Sequence, residues 1–297
     1  MEQDKPNLLI TGVGGFLGSH IANRLYTRYK IIGLERSKSN TKNITRILQH
    51  VHLYNSDPDS LRYIFNKYHV DIVIHTATLF GKNGESITKI AESNYFLPLS
   101  LLELSMKNKV SIFVNTDTVV NKFVNEYSMF KRQFHECLKF FNESIRIINI
   151  QLEHFYGEGA SDANFVTFII KRLLNNDPEI PLTQGEQKRD FIYIDDVVEA
   201  FATIIENCNG ESEGYNSYYV CTGNKVSIRE IVELLKDLTG SRSTLKFGAI
   251  PYRKHELMDV KGDNSKILKL GWRPNVQLRD GLIKTIEYIR NNKENNL

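Results

Sequence analysis

Two groups of residues in this chain have types and spacings that could do chemistry: a glycine-rich turn near its start and a tyrosine–lysine pair near its middle. The turn carries glycines at three-residue intervals, Gly12, Gly15 and Gly18, between a short apolar run and a helix-like stretch. The first glycine would permit a tight turn, the second would let a pyrophosphate approach the backbone, and the third would let the helix lie close to the strand. The N–H groups at the helix start, including those of Phe16 and Leu17, would hold the phosphates. We therefore predict a dinucleotide site here; a glycine-rich turn without a ligand is the alternative.

The second group is Tyr127 and Lys131, which lie four residues apart and so share one face of a helix. A lysine ammonium at this distance can lower the pKa of the phenol. A tyrosine tuned in this way can donate or accept a proton near neutral pH. The spacing alone also occurs in amphipathic surface pairs, so its position after the fifth strand of a dinucleotide fold is what gives it weight.

The elements that must position these groups alternate between short apolar runs and helical patterns, which is typical of a parallel sheet wrapped by helices. The predicted strands of this region are Asn7–Thr11, Lys30–Leu34, His52–Tyr54, Ile72–Thr76, Ile112–Asn115 and Arg146–Leu152. The predicted helices are Ser19–Tyr29, Asp59–Tyr68, Glu92–Asn108 and Tyr127–Phe141.

After about Tyr156 the alternation becomes irregular. This region contains the predicted helices Asn164–Asn175, Asp195–Asn207, Ser227–Thr239 and Leu278–Asn291, and a strand at Tyr218–Val220. We predict an α/β protein: a Rossmann-type doubly wound parallel sheet with a smaller mixed C-terminal substrate-binding part. The dinucleotide-binding domain would span residues 1–155, with parts of 190–222 packing back on it, and residues 156–297 would be mainly substrate-binding.

Composition narrows the class of protein. The 297 residues carry a formal net charge of +3, which gives no reason to expect a nucleic acid or membrane partner. Cys137, Cys208 and Cys221 are odd in number and lack a C-x-x-C spacing, which argues against a disulfide framework or a zinc site. We therefore expect no metal. No apolar run resembles a signal peptide or a membrane span, so we expect a cytoplasmic protein.

With these motifs in this order, the chain resembles the extended short-chain dehydrogenase/reductases that act as nucleotide-sugar epimerases, dehydratases and reductases. The matching segments are 11–18, 73–77, Asn94, the block 189–197 and 270–274. The resemblance implies that Tyr127 and Lys131 are catalytic and that a Ser or Thr at the end of strand five is the third member. Thr116 fits that position and Thr118 is the reserve. The link from this strand to Tyr127 is shorter than in most of the family.

The resemblance also narrows the subtype. A 4,6-dehydratase would carry Thr-Asp-Glu, but Thr118 stands in place of the glutamate, and a 3,5-epimerising reductase would need a cysteine near Thr116. Segments 152–157, 187–191 and 256–258 resemble the CDP-4-keto-3,6-dideoxyglucose reductases, the paratose and abequose synthases. We expect a reductase of deoxysugar biosynthesis that transfers a hydride from NAD(P)H to the C4 ketone of a nucleotide-activated 4-keto-6-deoxy sugar. A nucleotide-sugar 4-epimerase with bound NAD and a non-catalytic dinucleotide-binding module are the alternatives.

The remaining predicted contacts concern the cofactor and the nucleotide sugar. Glu35 suits the ribose diol of NAD, whereas the adjacent Arg36, with Lys38 beyond it, suits the 2′-phosphate of NADP; reductive chemistry tips the prediction slightly to NADP(H). The resemblance implies cofactor contacts from Thr76, Ala77 and Asn94, and substrate contacts from Thr78, Asn164 and Phe165. Arg189 and Arg253 would clamp the diphosphate, since a guanidinium can make two parallel bonds to phosphate. A homodimer through the Glu92 and Tyr127 helices is also implied.

Overall fold

The computed structural model describes residues 5–36, 41–207 and 214–294; Lys38 and Cys208 lie outside these residues. The strands are β1 (Asn7–Thr11), β2 (Lys30–Glu35), β3 (Val51–Asn55), β4 (Ile72–His75), β5 (Ile112–Thr118), β6 (Arg146–Leu152), β7 (His154–Tyr156), β8 (Glu179–Leu182), β9 (Lys188–Tyr193), β10 (Gly214–Val220), β11 (Lys225–Ser227) and β12 (Thr244–Phe247). The α-helices are α1 (Phe16–Leu25), α2 (Pro58–Lys67), α3 (Ile87–Ala91), α4 (Leu97–Lys107), α5 (Glu126–Leu138), α6 (Phe165–Leu174), α7 (Ile194–Asn207), α8 (Ile228–Thr239), α9 (Ser265–Leu268) and α10 (Leu278–Glu294).

The main sheet has seven strands in the order β10-β6-β5-β4-β1-β2-β3. The pairs β1–β2, β2–β3, β1–β4, β4–β5 and β5–β6 are all parallel. The strand order reverses between β1 and β4, and ligands of such sheets bind outside the carboxyl ends of the strands at that reversal. The predicted Rossmann-type class is confirmed. The register pairs Thr11 with His75, so the glycine turn that follows β1 lies beside the end of β4.

One strand of this sheet and one helical stretch beside it differ from the prediction. β5 runs on to Thr118 instead of ending at Asn115, because its ladder with β6 continues as far as Thr118 opposite Leu152. The range of the predicted helix Glu92–Asn108 is instead a π-helix at Glu92–Phe96 followed by α4, and the helical stretch begins earlier, with α3. Pro98, in the first turn of α4, lacks the N–H that a regular helix would bond to the carbonyl of Asn94, and a π-turn accommodates that gap.

Contacts divide the chain into two compact units. The first comprises Met1–Leu152 and Val198–Tyr219, and the second comprises Glu153–Val197 and Val220–Leu297. A core of apolar side chains in the first unit joins the sheet to the helices on one of its faces, and it includes Leu9, Val73, Phe113 and Phe134, all fully buried. The sheet strands read as nearly continuous apolar runs because both faces are covered.

The second unit contains two small sheets. Strands β7 and β9 pair in parallel and β9 and β11 pair antiparallel, while β8 and β12 form a parallel pair. The predicted smaller, mixed part is therefore present. Helix α8 begins with a capping box, in which Ser227 and Glu230 bond to each other's backbone N–H groups. Trp272 is buried and donates its indole N–H to the carbonyl of Asp196 at 3.0 Å.

Across the described ranges, none of the helices is both long and apolar enough for a membrane span.

Candidate active site

The glycine turn has the geometry that its spacing predicts. Gly12 has a φ of 66°, in the left-handed region that favours glycine. A Cβ on Gly18 would lie 2.2 Å from the carbonyl oxygen of Gly12 and 2.8 Å from Oγ1 of Thr76, so only glycine lets α1 lie this close to the turn. A Cβ on Gly15 would lie 3.0 Å from the same oxygen, a tight but less severe contact. The approach of a pyrophosphate to Gly15 stays a prediction.

The start of α1, where the predicted contacts Phe16 and Leu17 lie, fits an anion. Among the described residues no side chain caps this helix at Gly15, and its first turn contains no acidic residue. The backbone N–H groups of the first turn have no carbonyl partner within the helix, and the helix dipole is positive at this end. These features fit the pyrophosphate of a dinucleotide.

Glu35 ends β2 beside the glycine turn. Its carboxylate accepts a hydrogen bond from the backbone N–H of Gly14. The neighbouring Arg36 is exposed. A negative charge therefore lies against the turn itself, at the place where the resemblance puts the adenosine ribose.

The end of β4 is held to the end of β1 by a set of short hydrogen bonds. Thr76 donates its hydroxyl to the carbonyl of Thr11 at 2.6 Å, and the N–H groups of Thr76 and Ala77 bond to Oγ1 of Thr11 at 3.1 and 3.0 Å. That oxygen already accepts two bonds, so its hydrogen points to Nδ1 of His75, 2.9 Å away. Burial lowers the pKa of His75 well below its ordinary value, and the charge of Lys131 acts in the same direction. His75 is a buried, neutral ring with a structural role.

Asn94 organises the loop that follows β4. Its side chain is fully buried and donates to the carbonyls of Leu79 and Ile90 at 2.8 and 2.9 Å. Its oxygen accepts from the hydroxyl of Thr78 at 2.7 Å and from the N–H of Leu79 at 3.3 Å. Because both amide hydrogens are used inside the protein, a role for Asn94 in cofactor binding would be indirect, through the loop it holds.

Helix α5 presents Tyr127 in its first turn. The helix starts at a capping box, in which Asn125 accepts the N–H of Ser128 at 2.9 Å and the Ser128 hydroxyl accepts the N–H of Asn125 at 3.3 Å. The phenol ring lies against Phe80, with ring centroids 4.9 Å apart. The cap and the ring contact fix where the helix starts and which way the phenol points.

Burial raises the pKa of Tyr127, and hydrogen-bonding contacts with the hydroxyls of Thr118 and Thr78 lower it only in part. The phenol is therefore protonated at neutral pH. The groups that lower this pKa are the two threonine hydroxyls, and a lowering by Lys131 stays a prediction.

Lys131 lies one turn further along α5 and is almost fully buried, with 2% of its surface exposed. Its ammonium donates to the carbonyl oxygen of Thr116 at 2.8 Å, which directs it to the backbone of β5. Burial lowers the pKa of Lys131 to about 8, and the nearby charge of Asp117 acts in the opposite direction. The side chain is thus a cation with little solvent around it at neutral pH.

The end of β5 separates the two candidate threonines. Successive side chains of a strand point to opposite faces, so Thr116 and Thr118 share a face and Asp117 takes the other. The hydroxyl of Thr118 acts on the pKa of the Tyr127 phenol through hydrogen bonding. The hydroxyl of Thr116 is buried and meets no hydrogen-bond partner in the described part of the chain, while the carbonyl of Thr116 holds Lys131. The choice between the two hydroxyls stays a prediction.

In the second unit, Arg189 forms an internal ion pair. Its side chain is buried, donates to the carbonyl of Lys188 at 2.7 Å and pairs with the carboxylate of Glu256. A clamp on a diphosphate would have to exchange this carboxylate for phosphate oxygens. Glu256 lies 67 positions away, and no local spacing in the sequence signals this pair.

The other predicted substrate contacts have different surroundings. Arg253 is exposed. Asn164 caps α6, accepting from the N–H groups of Val166 and Thr167 and donating to the carbonyl of Phe155 at 2.8 Å. Its side chain is thus occupied by the local fold. Phe165, the first residue of α6, is partly buried.

A pocket of about 300 Å³ lies within the second unit and was not predicted. Residues that line it include Glu153, Asp190, Cys221, Lys225 and Lys261. Asp190 accepts two backbone N–H groups of the loop after β10, at 2.9 and 2.8 Å, while burial raises its pKa. Its bonds tie that loop to β9. No three His, Cys, Asp or Glu side chains of the described ranges are arranged to hold a metal ion.

The chain is similar to known proteins over nearly its whole length. Residues 8–220 match the family described as the NAD dependent epimerase/dehydratase family. Two proteins named CDP-abequose synthase, from Salmonella muenchen and Salmonella typhimurium, are 31% and 32% identical to the chain over 289 and 293 residues. Each comparison covers 94% of this chain and 96% of the relative. The predicted resemblance is confirmed.

A solved structure with a similar fold is the UDP-glucose 4-epimerase of Thermotoga maritima, crystallised with UDP-glucose. It matches with a TM-score of 0.83 and 26% sequence identity, over 97% of this chain and 99% of that protein. The likeness extends over both units of the chain.

Proposed function

The chain belongs to the NAD dependent epimerase/dehydratase family, and we propose that it reduces the C4 ketone of a nucleotide-activated 4-keto-6-deoxy sugar. The coarser conclusion, a nucleotide-sugar enzyme that uses a nicotinamide dinucleotide, follows from the family and from the relatives at 31% and 32% identity. The finer one rests on the chemistry of Tyr127.

The observation that carries the proposal is the placement of Tyr127 and Lys131 on one face of α5, with the Lys131 ammonium held at the end of β5 at 2.8 Å from the carbonyl oxygen of Thr116. Reduction of a ketone needs a proton donor at the developing alkoxide. The phenol of Tyr127, like that of an ordinary tyrosine, is protonated at neutral pH and would be that donor. The hydroxyls of Thr118 and Thr78, which contact this phenol, would orient the substrate oxygen.

The residues that would hold the dinucleotide lie in the first unit. The turn at Gly12, Gly15 and Gly18 would receive the pyrophosphate, and Lys131 would hold the nicotinamide ribose. When bound, the reduced nicotinamide supplies the hydride that the carbonyl carbon accepts. The buried charge of Lys131 would also stabilise negative charge that develops on the phenol as it gives up its proton.

For the choice of cofactor, the position of Glu35 supports NADH. Its carboxylate bonds to the N–H of Gly14, so the ribose diol of NADH could donate to it, while a 2′-phosphate would meet a negative charge. This is opposite to the slight preference for NADP(H) predicted from reductive chemistry. The ratio of kcat/KM for NADH and NADPH measures the preference. Glu35→Ser should shift that ratio toward NADPH, and an unchanged ratio would contradict the role of Glu35.

For the substrate, the relatives named CDP-abequose synthase support a CDP-linked sugar as the first compound to test. Arg189 would bind the diphosphate after leaving Glu256, and Arg253 is an exposed second cation. The reaction belongs to deoxysugar biosynthesis, where a 4-keto-6-deoxy sugar must be supplied by a dehydration reaction.

The test is a steady-state assay of CDP-, dTDP- and UDP-linked 4-keto-6-deoxy sugars with NADH or NADPH, followed by Tyr127→Phe. The variant should lower kcat by about 10²–10⁴-fold, the usual contribution of a general acid, and leave the Kd of the cofactor unchanged. Tyr63→Phe, at a tyrosine that is 51% exposed, is the matched control and should keep full activity. Near-wild-type turnover by Tyr127→Phe would refute the assignment.

A 4-epimerase is the second candidate, and the structural likeness to a UDP-glucose 4-epimerase at 26% identity supports it. An epimerase would be purified with tightly bound NAD and would convert sugars without added NADH or NADPH. A reductase would consume one equivalent of reduced cofactor for each sugar. If the protein binds the cofactor but turns over none of the sugars, the third alternative, a non-catalytic dinucleotide-binding module, gains support.

A further inference from the structure

Helix α5 is tied to the end of β5 at three points. Tyr127, Lys131 and His135 follow one another at four-residue spacing and therefore share a helix face. Tyr127 contacts the hydroxyl of Thr118, and Lys131 donates to the carbonyl of Thr116. The third contact, from His135 to Asp117, has no role in the proposed reaction as described above.

His135 is bonded to Asp117. Its Nδ1 lies 2.5 Å from Oδ2 of Asp117, and both side chains are buried, with 7% and 3% of their surfaces exposed. The same carboxylate oxygen accepts the amide of Asn149 at 2.9 Å, and the other oxygen accepts the N–H of Thr118 at 2.8 Å. An ionised carboxylate only accepts hydrogen bonds, so Nδ1 carries a hydrogen. Nε2 lies 3.2 Å from the hydroxyl of Tyr215.

The three ties act on three consecutive residues. The carbonyl of Thr116 receives Lys131, the carboxylate of Asp117 receives His135, and the hydroxyl of Thr118 faces Tyr127. A shift of Asp117 would therefore move the groups on either side of it, which both belong to the proposed catalytic machinery.

We propose that His135 is a positioning residue: by holding Asp117 through Nδ1, it sets the register between α5 and the end of β5 on which Tyr127 and Lys131 depend. This inference rests on the proposed reduction at Tyr127. His135 touches neither of the reacting groups directly, and it acts through Asp117.

The pKa of Lys131 depends on the charges around it, and it can be measured separately from kcat. From β5, Asp117 faces it, and from β4 the neutral His75 does; on α5 itself, Tyr127 and His135 lie one turn to either side. Asp117 raises the pKa of Lys131 against the lowering by burial. Removal of a nearby opposite charge shifts a pKa by about one to three units.

The test compares two amide replacements of the same histidine. In His135→Asn the amide nitrogen stands near the position of Nδ1 and can still donate to Asp117. In His135→Gln it stands near Nε2 and can reach Tyr215 instead. We expect the asparagine variant to keep most of kcat. The glutamine variant should lose about tenfold to a hundredfold, the cost of misplacing catalytic groups by about 1 Å. Tyr215→Phe, which leaves the Nδ1 bond intact, is the matched control and should keep wild-type kcat.

A second measurement separates positioning from general damage. Asp117→Asn removes the charge, so the alkaline limb of the pH–rate profile should move about one to three pH units lower. His135→Asn should leave that limb in place. The Kd for NADH, measured by titration calorimetry, should rise about tenfold in His135→Gln and stay unchanged in His135→Asn, because Lys131 would hold the ribose.

Equal losses in the two amide variants, or full activity in His135→Gln, would overturn the positioning role. Loss in Tyr215→Phe together with loss in His135→Asn would also overturn it, in favour of proton transfer along Tyr215 and His135. If the wild-type protein reduces no sugar, the proposed function fails, and the cofactor Kd values of the variants still decide the inference.

Discussion

Alanine at Gly18 and alanine at Gly15 should damage the protein in different ways. A Cβ on Gly18 would lie 2.2 Å from a backbone oxygen, which can move only if the turn moves. Overpacking costs about 1–3 kcal/mol, and an obstacle in the backbone belongs at the upper end of that range. Alanine is favoured over glycine inside a helix by about 1 kcal/mol. The net loss should therefore be about 2 kcal/mol.

At Gly15 the contact is 3.0 Å and the backbone, with a φ of −70° and a ψ of 175°, is one that alanine adopts readily. The residue is a helix N-cap without a side-chain bond, so we expect a loss of only about 0.5–1 kcal/mol. The added methyl group would, however, lie where the pyrophosphate is predicted to approach. Each 1.4 kcal/mol lost in that contact weakens binding about tenfold.

The assay has two parts. Thermal unfolding without cofactor should show a decrease in Tm of about 4–8 °C for Gly18→Ala and no more than about 3 °C for Gly15→Ala. Titration calorimetry with NADH should show binding at least about tenfold weaker for Gly15→Ala. A wild-type Tm in Gly18→Ala would refute the close packing of α1. Wild-type affinity in Gly15→Ala would refute the predicted pyrophosphate site.

Four further outcomes follow from the described contacts. Because the pKa of Lys131 is about 8, well below its ordinary value, its charge is lost as the pH rises through 8; kcat/KM should then fall about tenfold per pH unit, and a flat profile to pH 10 would contradict this. Arg189→Ala should raise the KM for the nucleotide sugar at least about tenfold with little change in kcat, whereas a change in Tm alone would leave the arginine a structural role. Asp196→Ala leaves two backbone N–H groups unpaired and should lower the urea-unfolding free energy by about 2–3 kcal/mol, while Asp59→Ala, whose side chain is 90% exposed, should change it by less than about 0.5 kcal/mol. Phe96→Asp, at a side chain that is 55% exposed, should convert the predicted homodimer to a monomer in light scattering, and a persistent dimer would place the interface elsewhere.

The parts of the fold that could be predicted are those that short spacings encode. A strand, a turn with glycines at three-residue intervals and a helix lie within about twenty residues, so the turn at Gly12 and the packing at Gly18 follow from local sterics. The cap of α8 at Ser227 is predictable for the same reason. Strands β7, β8 and β9 were not predicted, because they are short or contain charged residues, and Pro181 lies within β8.

The candidate site was predictable only in part. Tyr127 and Lys131 share a helix face because their spacing equals about one helical turn. The surroundings of Thr116 and Thr118 depend on how far β5 continues, and the ladder with β6 decides that. The end of β5 gave no signal of a strand, because its residues from Asn115 to Thr118 are all polar.

By itself, then, the sequence determined the class of fold, the geometry of the glycine turn and the helix face that Tyr127 and Lys131 share, since these depend on short repeated spacings. Only the tertiary structure decided which partners other polar side chains meet. Glu35 accepts the N–H of Gly14, Arg189 pairs with Glu256, and His135 bonds to Asp117. These partners are 18 to 67 positions apart. The physical reason is that burial removes water as a competing partner, so each polar group must bond to whatever the fold places beside it.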